Sequence, residues 1–451
     1  MPPVDLAALD AAQKDALILA LMAQVEALTK RVEELEAKLK EPPKTPDNSS
    51  LPPSRGQKAC PGAEKTKLKR KAHQGSARAL HPDPARVIEQ RAETCPHCAA
   101  DVRGAEQTAV HAYDRIELPE VLLDVTRVVL LGGTCACCKK RYKAAPPAGL
   151  EPGSPFGENL RAGLVYLRMR HAVSIERLKE LAHDLFGLDI SEGALVSILK
   201  AARKPLAETV KAIKADLFAG DCLASDETGV RIGKKTGWLW LFHHASAAVF
   251  VIALSRGKDV VEDFLGEHRP DWWLADRYGA QMGWAKKGQQ ACLAHLMRDA
   301  QYAIDDGDQV FAPGLKKLFE NACAIGRRRS GLKDATLREH ERELERRLDR
   351  LLALEPSCMA GKKLRRTILR HRQHLWVFLE SREIEPTNNA SERALRPAAT
   401  FRKVTNCFRT DWGGTLYADL RSVLETARRR AIGALRAITL ALRGEPLPAA
   451  G

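Results

Sequence analysis

Between residues 223 and 276 the chain changes its hydrophobic period, and this change limits the fold more than any other feature. Residues 223–232, 237–243 and 249–254 are short runs of β-prone residues separated by tight breaks. Residues 259–267 return to a helical pattern, and 271–276 return to strand. Of the 7 Trp in the chain, Trp238, Trp240, Trp272, Trp273 and Trp284 fall in or beside this stretch, although aromatic residues make up only 5% of the whole. Most of the bulky core material is therefore concentrated in one α/β segment. A chain of 451 residues is too long for one ordinary core, so further domains must flank it.

The flanks divide by composition. Ile18, Leu21, Val25, Leu28, Val32, Leu35 and Leu39 alternate spacings of three and four, with Lys, Arg and Glu on the other faces. This heptad seam predicts a coiled-coil dimerisation helix over 1–40. Residues 41–86 are rich in Pro, Ser and Lys, include the basic run 65–71, and read as a linker. Over 87–147, Cys95-Pro96-His97-Cys98 and Cys135-Ala136-Cys137-Cys138 flank a strand-like run at 121–130. Two such knuckles can supply four thiolates, Cys95, Cys98, Cys135 and Cys138, to a structural zinc in a ribbon-like module; Cys137 competes as a ligand. Residues 150–216 read as helical. A helix over 174–185, a turn at 187–190 and a second helix N-capped by Ser191 resemble a helix-turn-helix, a DNA-binding arrangement. Three strands, a helix and a fourth strand match the opening of an RNase H-like α/β fold, assigned to 217–412. A charged helical insertion occupies about 305–380 and a helical region closes the chain over 413–451. The fold class is thus multidomain α+β.

Formal net charge is +15 and the isoelectric point is about 9.3, which favours polyanionic partners, nucleic acid first. The N-terminus lacks a basic region followed by an apolar one, and no apolar run reaches membrane-spanning length. The 11 Cys are scattered apart from the two close groups, which suits a reducing compartment. A soluble, cytoplasmic protein with no membrane role is expected.

Acidic residues in the α/β segment carry the candidate chemistry. Phosphoryl transfer to DNA can proceed without an organic cofactor or a protein nucleophile if carboxylates hold two divalent cations. Mg and Mn take carboxylate oxygens readily. Strand alternation puts Cys222, Ala224 and Asp226 on one face and turns Glu227 to the other, which selects Asp226. Asp276 ends the run Trp272-Trp273-Leu274-Ala275. Glu392 could complete a helix capping box with Asn389. Around it, Asn388, Asn389, Arg393, Arg396, Arg402 and Lys403 offer amides and cations suited to phosphates.

Four strings together resemble the insertion-sequence 66 family of bacterial transposases. They are Asp226-Glu227-Thr228, Ala275-Asp276-Arg277-Tyr278, Cys292-Leu293-Ala294-His295, and the long Pro386-Thr387-Asn388-Asn389-Ala390-Ser391-Glu392-Arg393-Ala394-Leu395-Arg396-Pro397. The heptads, the string Asn48-Ser49-Ser50-Leu51-Pro52-Pro53-Ser54 and the paired CxxC follow the family's order. The resemblance implies a DDE transposase with its acidic triad at Asp226, Asp276 and Glu392, dependent on two Mg or Mn ions. Arg256, in Ser255-Arg256-Gly257-Lys258, and His295 fall on further family-typical positions and are candidate DNA contacts. Arg277 stands where the family usually has Gly.

The implied reaction is cleavage at element ends, freeing a 3′-hydroxyl, followed by attack of that hydroxyl on target DNA. Implied partners are the terminal repeats, target DNA, a second copy of the chain or a larger synaptic assembly, and small accessory proteins of the same element. Two other readings share these features: a DNA-binding regulator that has lost catalysis, and another RNase H-like nuclease such as a junction resolvase.

Overall fold

The computed structural model describes residues 11–49, 51 and 78–449. The basic run at 65–71 lies outside them. Helix α1 (Ala11–Lys40) comes first. Its seam residues Ile18, Leu21, Val25, Leu28 and Val32 are all more than half exposed or at the half-exposed mark. Among the described residues no element of the same chain covers this part of the stripe.

The next segment departs from the expected linker. Asn48 is buried, with 4% of its surface exposed. Its side chain accepts from the Thr45 amide at 2.7 Å and donates to the Pro43 carbonyl and to Asp305 Oδ2 at 3.1 and 2.8 Å. An Asn whose four hydrogen-bonding sites are largely used in this way fixes a local turn. The start of 41–86 is therefore docked, and composition alone misjudged it.

Strands β1 (Gly132–Thr134) and β2 (Arg141–Lys143) form a small antiparallel hairpin. The strand expected over 121–130 does not form: the run joins no ladder, and Val121, Leu122, Leu123, Val125, Val128 and Val129 are exposed. β-branched composition favours a strand only where a neighbouring strand accepts its hydrogen bonds.

Helices α2 (Glu158–Val165), α3 (Ile175–Phe186), α4 (Glu192–Ala201) and α5 (Arg203–Phe218) follow. Ser174 caps α3 by accepting from the Arg177 amide, and Gly187 ends it in the left-handed conformation at φ 61°. Ser191 caps α4 by accepting from the Ala194 amide at 3.2 Å.

The central sheet has five strands in the order β5-β4-β3-β6-β7. These are β3 (Cys222–Ile232), β4 (Lys235–His243), β5 (Ala248–Ala253), β6 (Trp272–Ala275) and β7 (Gly288–Ala291), with α6 (Lys258–Leu265) between β5 and β6. β3, β4 and β5 pair antiparallel; β6 joins β3, and β7 joins β6, in parallel. β7 was not anticipated. Its Gln289 and Gln290 are buried, which a polar strand tolerates only when every amide is bonded. Gln289 donates to the Gln281 carbonyl and accepts from the Gly283 amide. Gln290 donates to the Leu375 carbonyl and accepts from the Phe378 amide.

Two apolar clusters pack against the sheet. One combines Leu223, Trp240, Phe242 and Trp273 with α2 to α6 and with the closing helices α11 (Asn389–Thr405), α12 (Asp411–Arg429) and α13 (Ala434–Arg443). The other combines Cys222, Ala224 and Leu274 with α7 (Leu293–Asp305), α8 (Ala312–Arg328), α9 (Asp334–Leu352) and α10 (Met359–His371). α12 lies along the edge strand β5. Ser422 Oγ accepts from the Phe250 amide at 2.8 Å and Thr426 Oγ1 from the Ala248 amide at 3.0 Å. Helix hydroxyls thus satisfy an edge that would otherwise carry bare N–H groups. No helix among the described residues is long and apolar enough to cross a membrane.

Candidate active site

The parallel register of β3 and β6 positions the first two acids. Cys222 pairs with Trp272 and Ala224 with Leu274. Continued by two residues, that register sets Asp276, just past the end of β6, beside Asp226. Neighbouring strands lie about 4.8 Å apart, so the two carboxylates emerge side by side at the carboxyl end of β6. The Asp276 carboxylate accepts from the Tyr278 amide at 2.8 Å, and the Asp226 carboxylate from the Glu227 amide at 2.9 Å. Glu392 arrives from the first turn of α11.

Electrostatics ties the three together. The Asp226 carboxyl is held well above the usual carboxylate range, first by burial, then by the negative charges of Glu227, Asp276 and Glu392. A half-buried carboxylate repelled by three others is a site that gains from a cation.

Glu392 does not form a capping box. The N-cap of α11 is Asn388, with no side-chain cap bond, and the Glu392 carboxylate instead accepts from Arg298 at 2.9 Å. His295 Nε2 stands 3.8 Å from the same oxygen. His295 and Arg298 lie three residues apart on α7, which places both on one helix face toward the acids. Burial, then Arg298, holds the His295 imidazole below its ordinary range. Among the described residues, no group of three or more His, Cys, Asp or Glu stands ready to hold a metal. The donors are all carboxylate oxygens, which suits a hard divalent cation.

Arg277, the residue that follows Asp276, pairs with Asp299 on α7. Its guanidinium is thereby engaged by a carboxylate outside the triad.

Glu227 turns away from Asp226 into a cage. Its side chain is only 2% exposed and takes two bonds from Arg256, at 2.8 Å from Nε and 2.6 Å from a terminal nitrogen. Gln281 donates to its other oxygen. Arg256 is held between Trp238 and Tyr278, with its guanidinium 4.6 and 4.1 Å from the ring centroids. Arg256, expected as a DNA contact, is thus bound to protein groups on several sides.

The residues around Glu392 divide. Asn389, Arg393 and Arg396 are exposed. Arg402 donates to the Gly229 carbonyl and ties the end of α11 to β3. Asn388 is a correction: it is fully buried and donates to the Ser225 carbonyl at 2.8 Å, so it does not face DNA. Sequence reasoning also missed Arg298, although its spacing from His295 was a usable signal. It missed Gln281, for which the sequence carries none.

The cysteine knuckles are folded alike. In each, the first Cys amide donates to a carbonyl five residues on, at 2.8 Å for Cys95 and 2.9 Å for Cys135. The residue after each second Cys, Ala99 or Lys139, has positive φ. Amides of His97 and Cys98, and of Cys138 and Cys137, hold the Cys95 and Cys135 thiols below their ordinary range. Cys137 and Cys138 are both exposed beside Cys135. The two knuckles are not brought into one cluster.

A comparison with curated proteins gives no match. Residues 153–416, more than half of the chain and containing all three acids, match the family described as Transposase IS66 family. The chain belongs to the IS66 family of transposases, of DDE type with an α+β, RNase H-like core.

Proposed function

We propose that the chain cuts the ends of its DNA element and joins them to target DNA, with Asp226, Asp276 and Glu392 as the catalytic acids. The observation that carries this reading is the parallel register of β3 and β6, which sets Asp276 beside the half-buried Asp226, whose carboxyl also feels the charge of Glu392 on α11. A protein keeps such a repulsive arrangement at a cost in stability, and functional sites are where that cost recurs. Mg or Mn bound by these carboxylates would supply activation of the attacking oxygen and stabilisation of the leaving one.

Water adds to phosphorus at the element end, the P–O3′ bond breaks, and a 3′-hydroxyl is freed. That hydroxyl then attacks a target phosphodiester and displaces the target's own 3′-hydroxyl, so one phosphodiester replaces another. Arg298 holds Glu392 beforehand and, once released from it, would offer a donor to phosphate oxygens beside His295. Exposed Asn389, Arg393 and Arg396, with Lys403, would take the DNA backbone along α11.

The remaining modules support this role. The exposed apolar stripe of α1 would pair with that of a second copy, and the four thiols Cys95, Cys98, Cys135 and Cys138 would meet on zinc. The knuckles and α3–α4 would then read the terminal repeats. A second reading, a DNA-binding regulator, is favoured by one observation: Glu392 is paired with Arg298. Incubation of purified protein with labelled element ends, target DNA and Mg separates them. Joined product supports the transposase; end binding without cleavage supports the regulator.

A further inference from the structure

A chain of buried hydrogen bonds runs beneath the three acids, and every bond in it has a forced direction. Trp273 Nε1 can only donate, and it donates to Ser225 Oγ at 3.0 Å. The Ser225 hydroxyl therefore spends its own proton on Gln281 Oε1 at 2.7 Å. Gln281 then presents its amide nitrogen to Glu227. From the other side, Asn388 donates to the Ser225 carbonyl at 2.8 Å, which leaves Asn388 Oδ1 to accept from the Ser391 hydroxyl. Ser391 Oγ must then be the acceptor for His243 Nε2 at 2.7 Å. His243 accordingly carries its proton on Nε2, and its buried Nδ1 has no partner. Ser225, Gln281, Asn388 and Ser391 are fully buried, and His243 is 4% exposed.

The position of this chain is informative. Ser225 and Glu227 are the two neighbours of Asp226 in β3, and each is pinned. Trp273 and Gln281 bracket Asp276. Asn388 and Ser391 precede Glu392 on the first turn of α11, and the Asn388 carbonyl accepts the Glu392 amide at 3.2 Å. Among the described residues, the Asn388–Ser225 bond joins the start of α11 directly to β3, while the Asn388 amide donates to Cys292 Sγ, just past β7, at 3.1 Å.

We infer that Asn388 and Ser391 are positioning residues: through Ser225 they set the register of Glu392 against Asp226, and so the spacing of the carboxylates that hold the divalent ion. The inference rests on the proposed metal-dependent reading of the triad. It predicts that removing either residue loosens the ion rather than merely the fold, because partners behind metal ligands typically govern 10–100-fold in affinity.

The test is Mn²⁺ binding to the full chain without DNA, followed by electron paramagnetic resonance of the free ion, with Asp226→Ala to define binding that does not involve the triad. Asn388→Ala and Ser391→Ala are compared with the wild type and with Thr400→Ala, an exposed change on the same helix. The expected result is an Mn²⁺ Kd about 10–100-fold higher in the first two and unchanged in the third. Joining activity of the two variants should recover when Mn²⁺ is raised. Unchanged Mn²⁺ affinity in a folded Asn388→Ala or Ser391→Ala overturns the inference. If Asn388→Ala does not fold, Ser391→Ala decides, since it keeps the Asn388–Ser225 bond. If the wild type and Asp226→Ala bind Mn²⁺ equally, the metal-dependent reading itself fails and the positioning role falls with it.

Discussion

Replacing Asp226 by Asn should stabilise the metal-free protein while removing its response to Mg. The substitution keeps the shape of the side chain and leaves an oxygen to accept the Glu227 amide, so no bond in the surroundings need be lost. What it removes is a half-buried negative charge repelled by those of Glu227, Asp276 and Glu392. Two carboxylates about 5 Å apart repel by roughly 3 kcal/mol at an effective dielectric of about 20. Relaxation and water shed much of this, and single stabilising changes usually contribute about 0.5–2 kcal/mol. We expect a gain of about 1–2 kcal/mol in urea unfolding at pH 7 without Mg. The wild type, by contrast, should gain about 2.7 kcal/mol at an Mg concentration a hundred times its Kd, and the variant nothing. A loss of more than about 1 kcal/mol in metal-free Asp226→Asn would refute the argument. It would show that the carboxylate supports the fold, as a strand acid with structural partners does.

Three further outcomes follow from particular contacts. Ser422→Ala leaves the Phe250 amide on the edge strand without its acceptor and should cost about 1–3 kcal/mol in chemical denaturation; a cost under about 0.5 kcal/mol would mean water replaces the hydroxyl. Burial raises the Asp419 carboxyl to about 6 from 3.8, with Arg203 offsetting only part. A raised folded value means the folded state holds the proton more tightly, so stability falls as pH rises from about 4 through 6. Asp419→Asn should therefore stabilise by about 1 kcal/mol at pH 7, discounted from a ceiling near 3 for partial exposure, and by nothing at pH 4, as read by melting temperature. Cys138→Ser should lower the zinc content of purified protein and Cys137→Ser should not; the reverse would reassign the second knuckle.

The sheet was largely legible because its strands bury bulky side chains on a period of two. β3 to β6 stand within a few residues of the segments read at 223–276. β7 was not legible, since Gly288-Gln289-Gln290-Ala291 carries no apolar signal and is buried only because loop backbone satisfies both amides. The run at 121–130 failed in the opposite sense: it has strand composition and no partner strand. At the site, alternation separates Asp226 from Glu227, and the structure shows why the distinction matters, with Glu227 committed to Arg256 and Gln281. Asn388 was misjudged because a polar residue beside an Arg-rich helix face reads as surface. Its burial depends on Ser225 and Ser391, whose proximity no local pattern encodes. Asn48 was misjudged for the same reason, its partner Asp305 lying on another element.

The central claim is that three acids on separate elements form one metal-dependent strand-transfer site, and joining of labelled element ends to target DNA tests it most directly. Wild-type protein should give joined product with Mg or Mn. Asp226→Ala, Asp276→Ala and Glu392→Ala should each retain end binding and lose the product. Full joining by any of the three would contradict the account.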